Sequence, residues 1–245
     1  MTHYISGMPV WVIALFIPIF IGTISFIANP AKRAALDAGM SPGKARNIQV
    51  GIFVFYILYL GYVSVLALKG VFDVPSLPPR SIVWGGFPLM IVLFGFIGNT
   101  PLFKKLLQSV TLESLVYLHV FRFAGVFFLL LYAYHLLPAG FALSAETGDI
   151  LTALLAIPVS RMVAKGHRWR IPAVVAWNIF GILDIVNAIV IAVVNPGQGN
   201  LREMTIFPFV WFPAFAPATI LFLHTMVFRK LYQLRPAAEG VGKLS

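Results

Sequence analysis

Polar and ionisable side chains interrupt two long apolar stretches of this sequence. Residues 171–195 form a stretch long enough to cross a bilayer, yet they include Asn178, Asp184 and Asn187. A second apolar stretch contains Arg122. A charged side chain at membrane depth costs about 2.5–3.5 kcal/mol on insertion scales, so such residues usually face the interior of a helix bundle and mark a functional path. We therefore expect a ligand or proton path along these residues.

Arg122 is the only basic residue that falls deep inside a predicted span, and it requires an acidic partner. At about 1.5 Å per residue it lies about 12 Å from the start of its helix at Ser114, whereas Asp184 lies about 20 Å from Ile171. A long arginine side chain can bridge most of that difference in depth. We predict an Arg122–Asp184 ion pair, which either neutralises two charges or is broken and remade during proton or anion movement.

One face of the helix that carries Asp184 combines an acid with a small gap. At 100° per residue, one narrow stripe holds Trp177, Gly181, Asp184 and Ala188. Asn187 lies on the flank of this stripe and Asn178 lies further round. The asparagines either belong to a polar interior or act as interhelical hydrogen-bond partners, each worth about 0.6–2 kcal/mol.

Two histidines on different predicted helices, His119 and His224, should lie at similar depth. Two such imidazoles could ligate a b-type haem or a metal ion. A haem also needs a cavity with small residues around its ligands, and the bulky neighbours Val116, Phe123 and Phe222 do not indicate one. The cofactor is therefore left open.

The last apolar stretch carries Pro213 and Pro217 on the same side as His224. A proline inside a helix frees the carbonyl group four residues before it, and at membrane depth protein, water or a ligand must satisfy that carbonyl. We predict that the carbonyls of Phe209 and Pro213 are free and that the helix kinks towards the interior.

His135, Glu146 and Asp149 lie near the connection between the fourth and fifth predicted spans. No metal-ligand spacing joins them. We predict a solvated loop here, with Asp149 at a helix N-terminus, where the helix dipole favours a negative charge.

An all-α, polytopic membrane fold must position these residues. Of the 245 residues, 60% are hydrophobic and 11% are charged, which is typical of a multi-span membrane protein. The length leaves room for about seven spans in a single domain over residues 1–245. The predicted spans are Pro9–Ala28, Gln49–Lys69, Ser81–Asn99, Ser114–Leu137, Asp149–Ala164, Ile171–Asn195 and Ile206–Phe228. The fifth must be short, tilted or partly sheltered by its neighbours, and Thr100–Glu113 is interpreted as an interfacial extension of the third helix.

The placement of lysine and arginine sets the predicted orientation. One set of connections has three basic residues: Lys69, Arg80 and Arg202. The other has fourteen: Lys32, Arg33, Lys44, Arg46, Lys104, Lys105, Arg161, Lys165, Arg168, Arg170, Arg229, Lys230, Arg235 and Lys243. The positive-inside rule then puts the N-terminus outside and the C-terminus in the cytoplasm, for a multi-pass protein of the cell (inner) membrane. The net charge of +10 is thus explained by topology and contact with anionic lipid, not by nucleic acid.

Missing residue types exclude several chemistries. The sequence has no cysteine, which excludes disulfides, thiolate-bound zinc, iron–sulfur clusters and cysteine nucleophiles. The predicted seventh span has no lysine, which excludes a retinal Schiff base there.

A shift of 125 residues aligns the third predicted span with the seventh without a gap. Phe87-Pro88 then falls on Phe212-Pro213, and Lys105-Leu106 on Lys230-Leu231. One interpretation is a parallel repeat of three helices, residues 9–108 and 149–233, around a linker helix at 114–137, with a binding site between the halves. The alternative is that two helices leave the membrane through similar sequences.

Part of the second half resembles a group of uncharacterised bacterial seven-span membrane proteins. The resemblance rests on TGDILTALLAIPVSRMVA at 147–164, on Trp177-Asn178 and on FPFVWFPAFAPATILFLH at 207–224, and it implies no known activity. The 3+1+3 layout is also similar to that of the SWEET sugar transporters, although the first and fifth spans lack their proline-glutamine signature.

Three functions fit these features. A small-solute or proton-linked permease would use the Arg122, Asp184 and Asn187 centre. A membrane enzyme acting on a lipid or isoprenoid would use Asp184 as acid or base, beside the Trp177 ring. A haem- or quinone-binding electron carrier would use His119 and His224. The expected partners are the bilayer and a small-molecule or lipid ligand, while the solute and the oligomeric state are left open.

Overall fold

The computed structural model describes residues 4–74, 76, 78–194 and 201–234. Within these residues the secondary structure is helical, apart from one isolated β-bridge between Ile5 and Phe207. Seven helices are long and apolar enough to cross a membrane. This confirms the all-α class and fits a multi-pass membrane protein, while the orientation and the 125-residue repeat stay predictions.

Apart from a short 3₁₀ turn at Arg202–Thr205, eight helices follow one another along the described chain, seven of them candidate spans. The first two spans are α1, Val10–Asp37, and α2, Pro42–Leu68. Then come α3, Ser81–Asn99, the short α4, Pro101–Ser109, and α5, Leu112–Ala133. The last three spans are α6, Ala139–Ala164, α7, Arg170–Val194, and α8, Trp211–Gln233. We call the end of the bundle that carries Lys32, Lys44, Lys104 and Lys165 the basic end.

The predicted start of the fifth span at Asp149 is wrong. The helix α6 begins at Ala139 and is 26 residues long, so it is not short, and its first part is helix and not a solvated loop. Ser144, Glu146 and Thr147 make its first part look like a connection. This part nevertheless buries Phe141, Ala142 and Ala145 in the bundle, and that packing determines the helix.

The predicted extension of α3 through residues 100–113 is also wrong. The backbone leaves the helical region at Thr100, where ψ is 146°, and the Thr100 hydroxyl accepts a hydrogen bond from the Phe103 amide at 3.1 Å. Pro101 follows at the first helical position, which suits its missing N–H group. The separate helix α4 is held at its far end by Lys230, whose Nζ donates to the carbonyl oxygens of Leu107 and Gln108 at 3.3 and 2.7 Å.

Two of the spans are not regular α-helices. In α3, the segments Ser81–Gly86 and Ile91–Phe96 are π-helical. In α5, residues His119–Val126 form a 3₁₀ stretch between two α-helical segments. Such departures in the middle of a helix often mark functional positions or local strain. The 3₁₀ stretch contains both His119 and Arg122.

Packing is centred on α8, which has the largest buried share of the seven spans. Phe16 of α1 contacts the rings of Phe127, Phe209 and Phe212 with centroid separations of 5.1, 4.7 and 5.2 Å. Offset and edge-on aromatic pairs of this kind contribute about 0.5–1.5 kcal/mol each beyond area burial. The aromatic core thus fixes α8 against α1 and α5.

The two prolines take different positions in α8. Pro217 lies inside the helix, whereas Pro213 falls in its first turn, where a missing N–H group removes no helical hydrogen bond. The Phe209 carbonyl accepts a hydrogen bond from the Phe212 amide at 3.0 Å. The prediction that Pro213 frees this carbonyl is therefore wrong.

Polar contacts tie the connections together at the end opposite the basic end. Ser6 donates a 2.6 Å hydrogen bond to Glu203, and Arg202 forms an ion pair of 3.0 Å with Asp73. Burial raises the pKa of Glu203, although the hydrogen bond from Ser6 acts in the opposite direction. These contacts join the N-terminal segment, the α2–α3 connection and the entry to α8.

Glycines bring α3 against the start of α8, and this contact yields a prediction. A Cβ atom at Gly86 would lie 2.8 Å from the Pro213 carbonyl oxygen. We expect Gly86→Ala to lower the free energy of unfolding by about 1–3 kcal/mol through overpacking. A Cβ atom at Gly22 in α1 would have no neighbour within 4 Å, so Gly22→Ala should be neutral or stabilising by about 0.5–1 kcal/mol. Denaturation in detergent measures both, and equal effects would contradict the close approach.

Candidate functional site

Arg122 lies at the centre of a buried polar cluster, with only 2% of its surface exposed. Its Nε donates to Asp149 Oδ1 at 2.6 Å, and its Nη2 donates to Asp184 Oδ2. The predicted Arg122–Asp184 pair is therefore present, and a second aspartate shares the same guanidinium. The arginine of α5 joins α6 to α7 through these two carboxylates.

The third nitrogen of Arg122 is directed towards α7 and α8. Nη1 donates to the Gly181 carbonyl oxygen and to His224 Nε2, both at 3.3 Å. Because a guanidinium has only donors, His224 Nε2 must be unprotonated and its Nδ1 must carry the hydrogen. That Nδ1 lies 2.8 Å from Asn178 Oδ1, and Asn178 Nδ2 donates to the His224 carbonyl at 3.2 Å. This network fixes His224 as a neutral imidazole of one tautomer.

The second histidine packs directly on the first. The ring centroids of His119 and His224 are 4.1 Å apart, and the Trp177 ring meets His119 edge-on at 4.9 Å. His119 Nδ1 lies 3.1 Å from the Leu115 carbonyl oxygen, while its Nε2 is buried without a hydrogen-bond partner among the described residues. The two rings leave no space between them for a porphyrin, so this arrangement does not fit a haem held between His119 and His224.

Glu146 is the unexpected member of the cluster. Its side chain is 1% exposed, and neither carboxyl oxygen has a hydrogen-bond partner in the described part of the chain. It lies one helical turn before Asp149, in the body of α6. The prediction that Glu146 and Asp149 belong to a solvated loop, with Asp149 at a helix N-terminus, is therefore wrong. His135 alone lies in an exposed turn there.

Three glycines make room for the polar side chains. A Cβ atom at Gly125 would lie 2.7 Å from Glu146 Oε2 and 3.0 Å from Asp149 Oδ2. A Cβ atom at Gly148 would collide with the Asp184 carboxylate, and one at Gly181 would collide with the His224 ring. The predicted gap at Gly181 thus accepts a histidine ring from α8. The glycines therefore make room for polar side chains of neighbouring helices and also allow the helix backbones to approach one another.

The charges of the cluster do not balance if every group is ionised. Glu146, Asp149 and Asp184 bring three carboxyl groups to one guanidinium, and both histidines lie buried against that cation. An uncompensated negative charge away from water is strongly unfavourable, and a carboxyl group normally takes up a proton instead. Glu146 is the carboxyl without a cationic contact. We therefore assign it the neutral, protonated form.

Two cavities approach this cluster from opposite ends of the bundle. A small one of about 90 Å³ at the end away from the basic end is lined in part by Asp149, Phe212 and Pro213. A larger one of about 570 Å³ lies at the basic end and reaches Leu118 and Leu223. These two leucines directly precede His119 and His224 in the chain. The polar cluster thus lies between the cavities, and its acidic side borders the smaller one.

Most of the predicted site residues meet in the structure. One cluster brings together Arg122, Asp184, Asn178, Trp177, His119 and His224. The indole nitrogen of Trp177 donates a hydrogen bond to the Thr152 carbonyl oxygen at 3.0 Å, which ties α7 to α6 beside the cluster. Asn187 does not belong to the cluster. It is exposed and donates to the Ser144 hydroxyl at 3.1 Å, so its expected place in the polar centre is wrong.

The sequence prediction missed Glu146 and the pairing of Asp149 with Arg122. A usable signal was present, because small or polar residues recur at helical spacing along α6. The positions on its buried face include Ala142, Ala145, Glu146, Thr152, Ala153 and Ala156. The same helical spacing, continued from residue 149 towards the N-terminus, places Glu146 on the buried face.

Comparison with known proteins adds a family but no activity. A family model described as "Domain of unknown function (DUF8737)" matches residues 78–232. No curated protein and no solved structure matches the chain. The matched range contains every residue of the cluster from His119 to His224.

The ion-pair network yields a second prediction. Arg122→Met leaves the carboxyl groups without their cation and should lower the free energy of unfolding by about 3–5 kcal/mol. Arg122→Lys keeps the charge but cannot engage two carboxylates as a planar fork, so we expect an intermediate loss. The exposed Arg168 is the matched control, and Arg168→Met should stay within about 0.5 kcal/mol of the wild type. Thermal unfolding in detergent tests the order, and equal stability of the two methionine variants would contradict it.

Proposed function

Because the chain belongs to the family described as a domain of unknown function (DUF8737), we propose its function from the site alone: a proton-linked permease for a small solute. The observation that carries the proposal is the carboxyl group of Glu146. It is buried and without a hydrogen-bond partner among the described residues, beside an arginine that already pairs with two aspartates. The bundle can bind a proton on this buried carboxyl group and release it again.

Each member of the cluster has a distinct role in this proposal. Glu146 holds the proton, and Asp149 exchanges it with the small cavity that it lines. Arg122 stabilises whichever aspartate is ionised. When a proton neutralises Asp149 or Asp184, one of the two ion pairs weakens and the guanidinium shifts its contact to the other carboxylate. Protonation is thereby coupled to the packing of α5 against α6 and α7.

The surrounding structure supports a movement of this kind. Arg122 lies in the 3₁₀ stretch His119–Val126, whose hydrogen-bond geometry is poorer than that of an α-helix. Pro217 interrupts the hydrogen bonding of α8 on the other side. The cluster lies between a cavity at each end, which is the arrangement that alternating access requires.

The observations favour a permease over the two other candidates. An enzyme acting on a lipid within the large apolar cavity would need Asp184 or another acid in its wall, and none of the cluster's ionisable residues lines that cavity. A haem-based electron carrier would need separated histidines, whereas His119 and His224 are in ring contact. The expected location in the cell membrane, the cytoplasmic basic end and the 3+1+3 repeat belong to the same proposal.

Reconstitution into proteoliposomes tests the proposal with a panel of small solutes added in turn. With a pH-sensitive dye inside the vesicles, a transported solute should change the internal pH in vesicles containing the wild type and not in empty vesicles, because the proton and the solute move together. Glu146→Gln keeps the shape and neutrality of the side chain but removes the exchangeable proton. We expect this variant to lose most of the protein-dependent proton flux, at least about tenfold, because its amide cannot take part in acid–base exchange.

The control for this experiment is the exposed Glu113 at the start of α5. Glu113→Gln removes a carboxyl group from α5, the helix that carries Arg122, but not from the cluster, so its flux should match that of the wild type. Asp184→Asn should also reduce the flux, since it removes one of the two acceptors of Arg122. Wild-type flux in the Glu146→Gln variant would overturn the assignment of the proton site.

A further inference from the structure

The wall of the larger cavity is mostly apolar, in contrast to the charged and polar cluster around Arg122. The cavity encloses about 570 Å³, within the range of about 300–1,000 Å³ that is usual for ligand pockets. Six of the eight helices, α1 to α5 and α8, contribute to it. Its wall is mostly hydrocarbon, from residues such as Ile27, Ile52, Leu93, Phe103, Leu115 and Met226.

Polar groups in the cavity wall are few. Asn47 and Thr100 lie towards the basic end, at the start of α2 and just before α4. Tyr56 lies deeper, and its hydroxyl group accepts a hydrogen bond from Thr219 at 3.4 Å. The inner end at Leu118 and Leu223 is apolar. A ligand that fits this wall has a polar head towards the basic end and a hydrocarbon tail pointing inwards.

Basic residues are numerous at the end of the bundle where the larger cavity lies. Basic side chains are chain neighbours of lining residues on three different elements. Lys32 follows Ala31 on α1, Arg46 precedes Asn47 on α2, and Lys104 follows Phe103 on α4. Arg46 and Lys104 are exposed, as is Lys105 beside Leu106. The head group that complements these charges is an anion.

We propose that this cavity binds a single-chain amphiphile with an anionic head group, such as a long-chain fatty acid. The volume suits one hydrocarbon chain, and the wall offers that chain an apolar surface from α2 across to α8. Basic side chains of α1, α2 and α4 lie at the end of the bundle where this head group is placed. This binding does not depend on proton exchange at Glu146 and is measurable in a protein that transports nothing.

The head group, not the tail, must provide the preference for the cavity. The core of a bilayer is as apolar as the cavity wall, so moving the chain from lipid into the cavity gains little. A basic side chain near the membrane surface attracts an anionic group by an amount that corresponds to about fivefold in affinity for each Lys or Arg. The site should therefore discriminate strongly between an anionic and a neutral amphiphile of the same chain length.

A matched pair of glycines allows the cavity to be filled selectively. Gly51 and Gly61 are both exposed residues of α2, and a Cβ atom at either one would have no neighbour within 4 Å. Gly51 lines the cavity, whereas Gly61 does not. A leucine side chain at position 51 would take up cavity space, while one at position 61 would not.

The experiment uses the full chain in nanodiscs of zwitterionic lipid, with a spin-labelled long-chain fatty acid as the probe. Electron paramagnetic resonance separates the motionally restricted probe bound to protein from the probe in bulk lipid. We expect Gly51→Leu to lower the affinity for the restricted site about tenfold or more, and Gly61→Leu to leave it unchanged. Ala31→Leu fills the same cavity from α1 and serves as a second variant should Gly51→Leu fail to fold.

Charge is tested in the same nanodiscs. The double variant Lys104→Gln/Lys105→Gln should lower affinity for the fatty acid anion by about tenfold or more, with little effect on the spin-labelled methyl ester. Lys165→Gln, which changes a charge at the same end but away from the cavity wall, should have no effect. Equal binding by Gly51→Leu, Ala31→Leu and the wild type would overturn the proposed site. Equal affinity for the acid and its ester in the wild type would overturn the anionic head group.

Discussion

The architecture around the site depends on satisfying one buried guanidinium. Arg122 is almost fully enclosed, and an unpaired charge there would cost far more than the few kcal/mol by which proteins are stable. Each of its nitrogens therefore has an acceptor, provided by Asp149 on α6, by Asp184 and the Gly181 carbonyl on α7, and by His224 on α8. A single side chain of α5 thus fixes three neighbouring helices inside the bundle.

Local features of the sequence can be understood as consequences of that requirement. Gly125, Gly148 and Gly181 occur where a side chain would displace a carboxylate or the His224 ring, so each glycine leaves space for a polar partner. The change from α to 3₁₀ geometry at His119 lies in the segment that carries the arginine. Asn178 completes the network because it fixes the tautomer of His224, which leaves Nε2 free to accept from Arg122.

Apolar length and isolated polar residues were enough to predict much of this fold. Seven spans were expected, and Arg122 with Asp184 stood out because few other charges lie so deep. The prediction failed where polarity alone indicated exposure. Ser144, Glu146 and Thr147 suggested a loop, but the apolar and small residues between them pack α6 into the bundle. The prediction for Asn187 was wrong in the opposite direction. Helical periodicity places this residue near Asp184 and predicts a buried position, but tertiary packing leaves it at the surface. Neither the π-helical turns of α3 nor the histidine ring contact can be read from composition, because both arise from long-range packing.

The central claim is that a proton on Glu146 neutralises one of the two surplus negative charges that three carboxyl groups would leave beside a single guanidinium. Infrared difference spectroscopy detects the C=O stretch of a protonated carboxyl group directly, and the exchange of solvent water for D₂O shifts that band. The wild type should show such a band at neutral pH, and Glu146→Gln should abolish it while the fold is retained. A wild-type spectrum without a protonated carboxyl, or an unchanged band in the variant, would contradict the proton at Glu146.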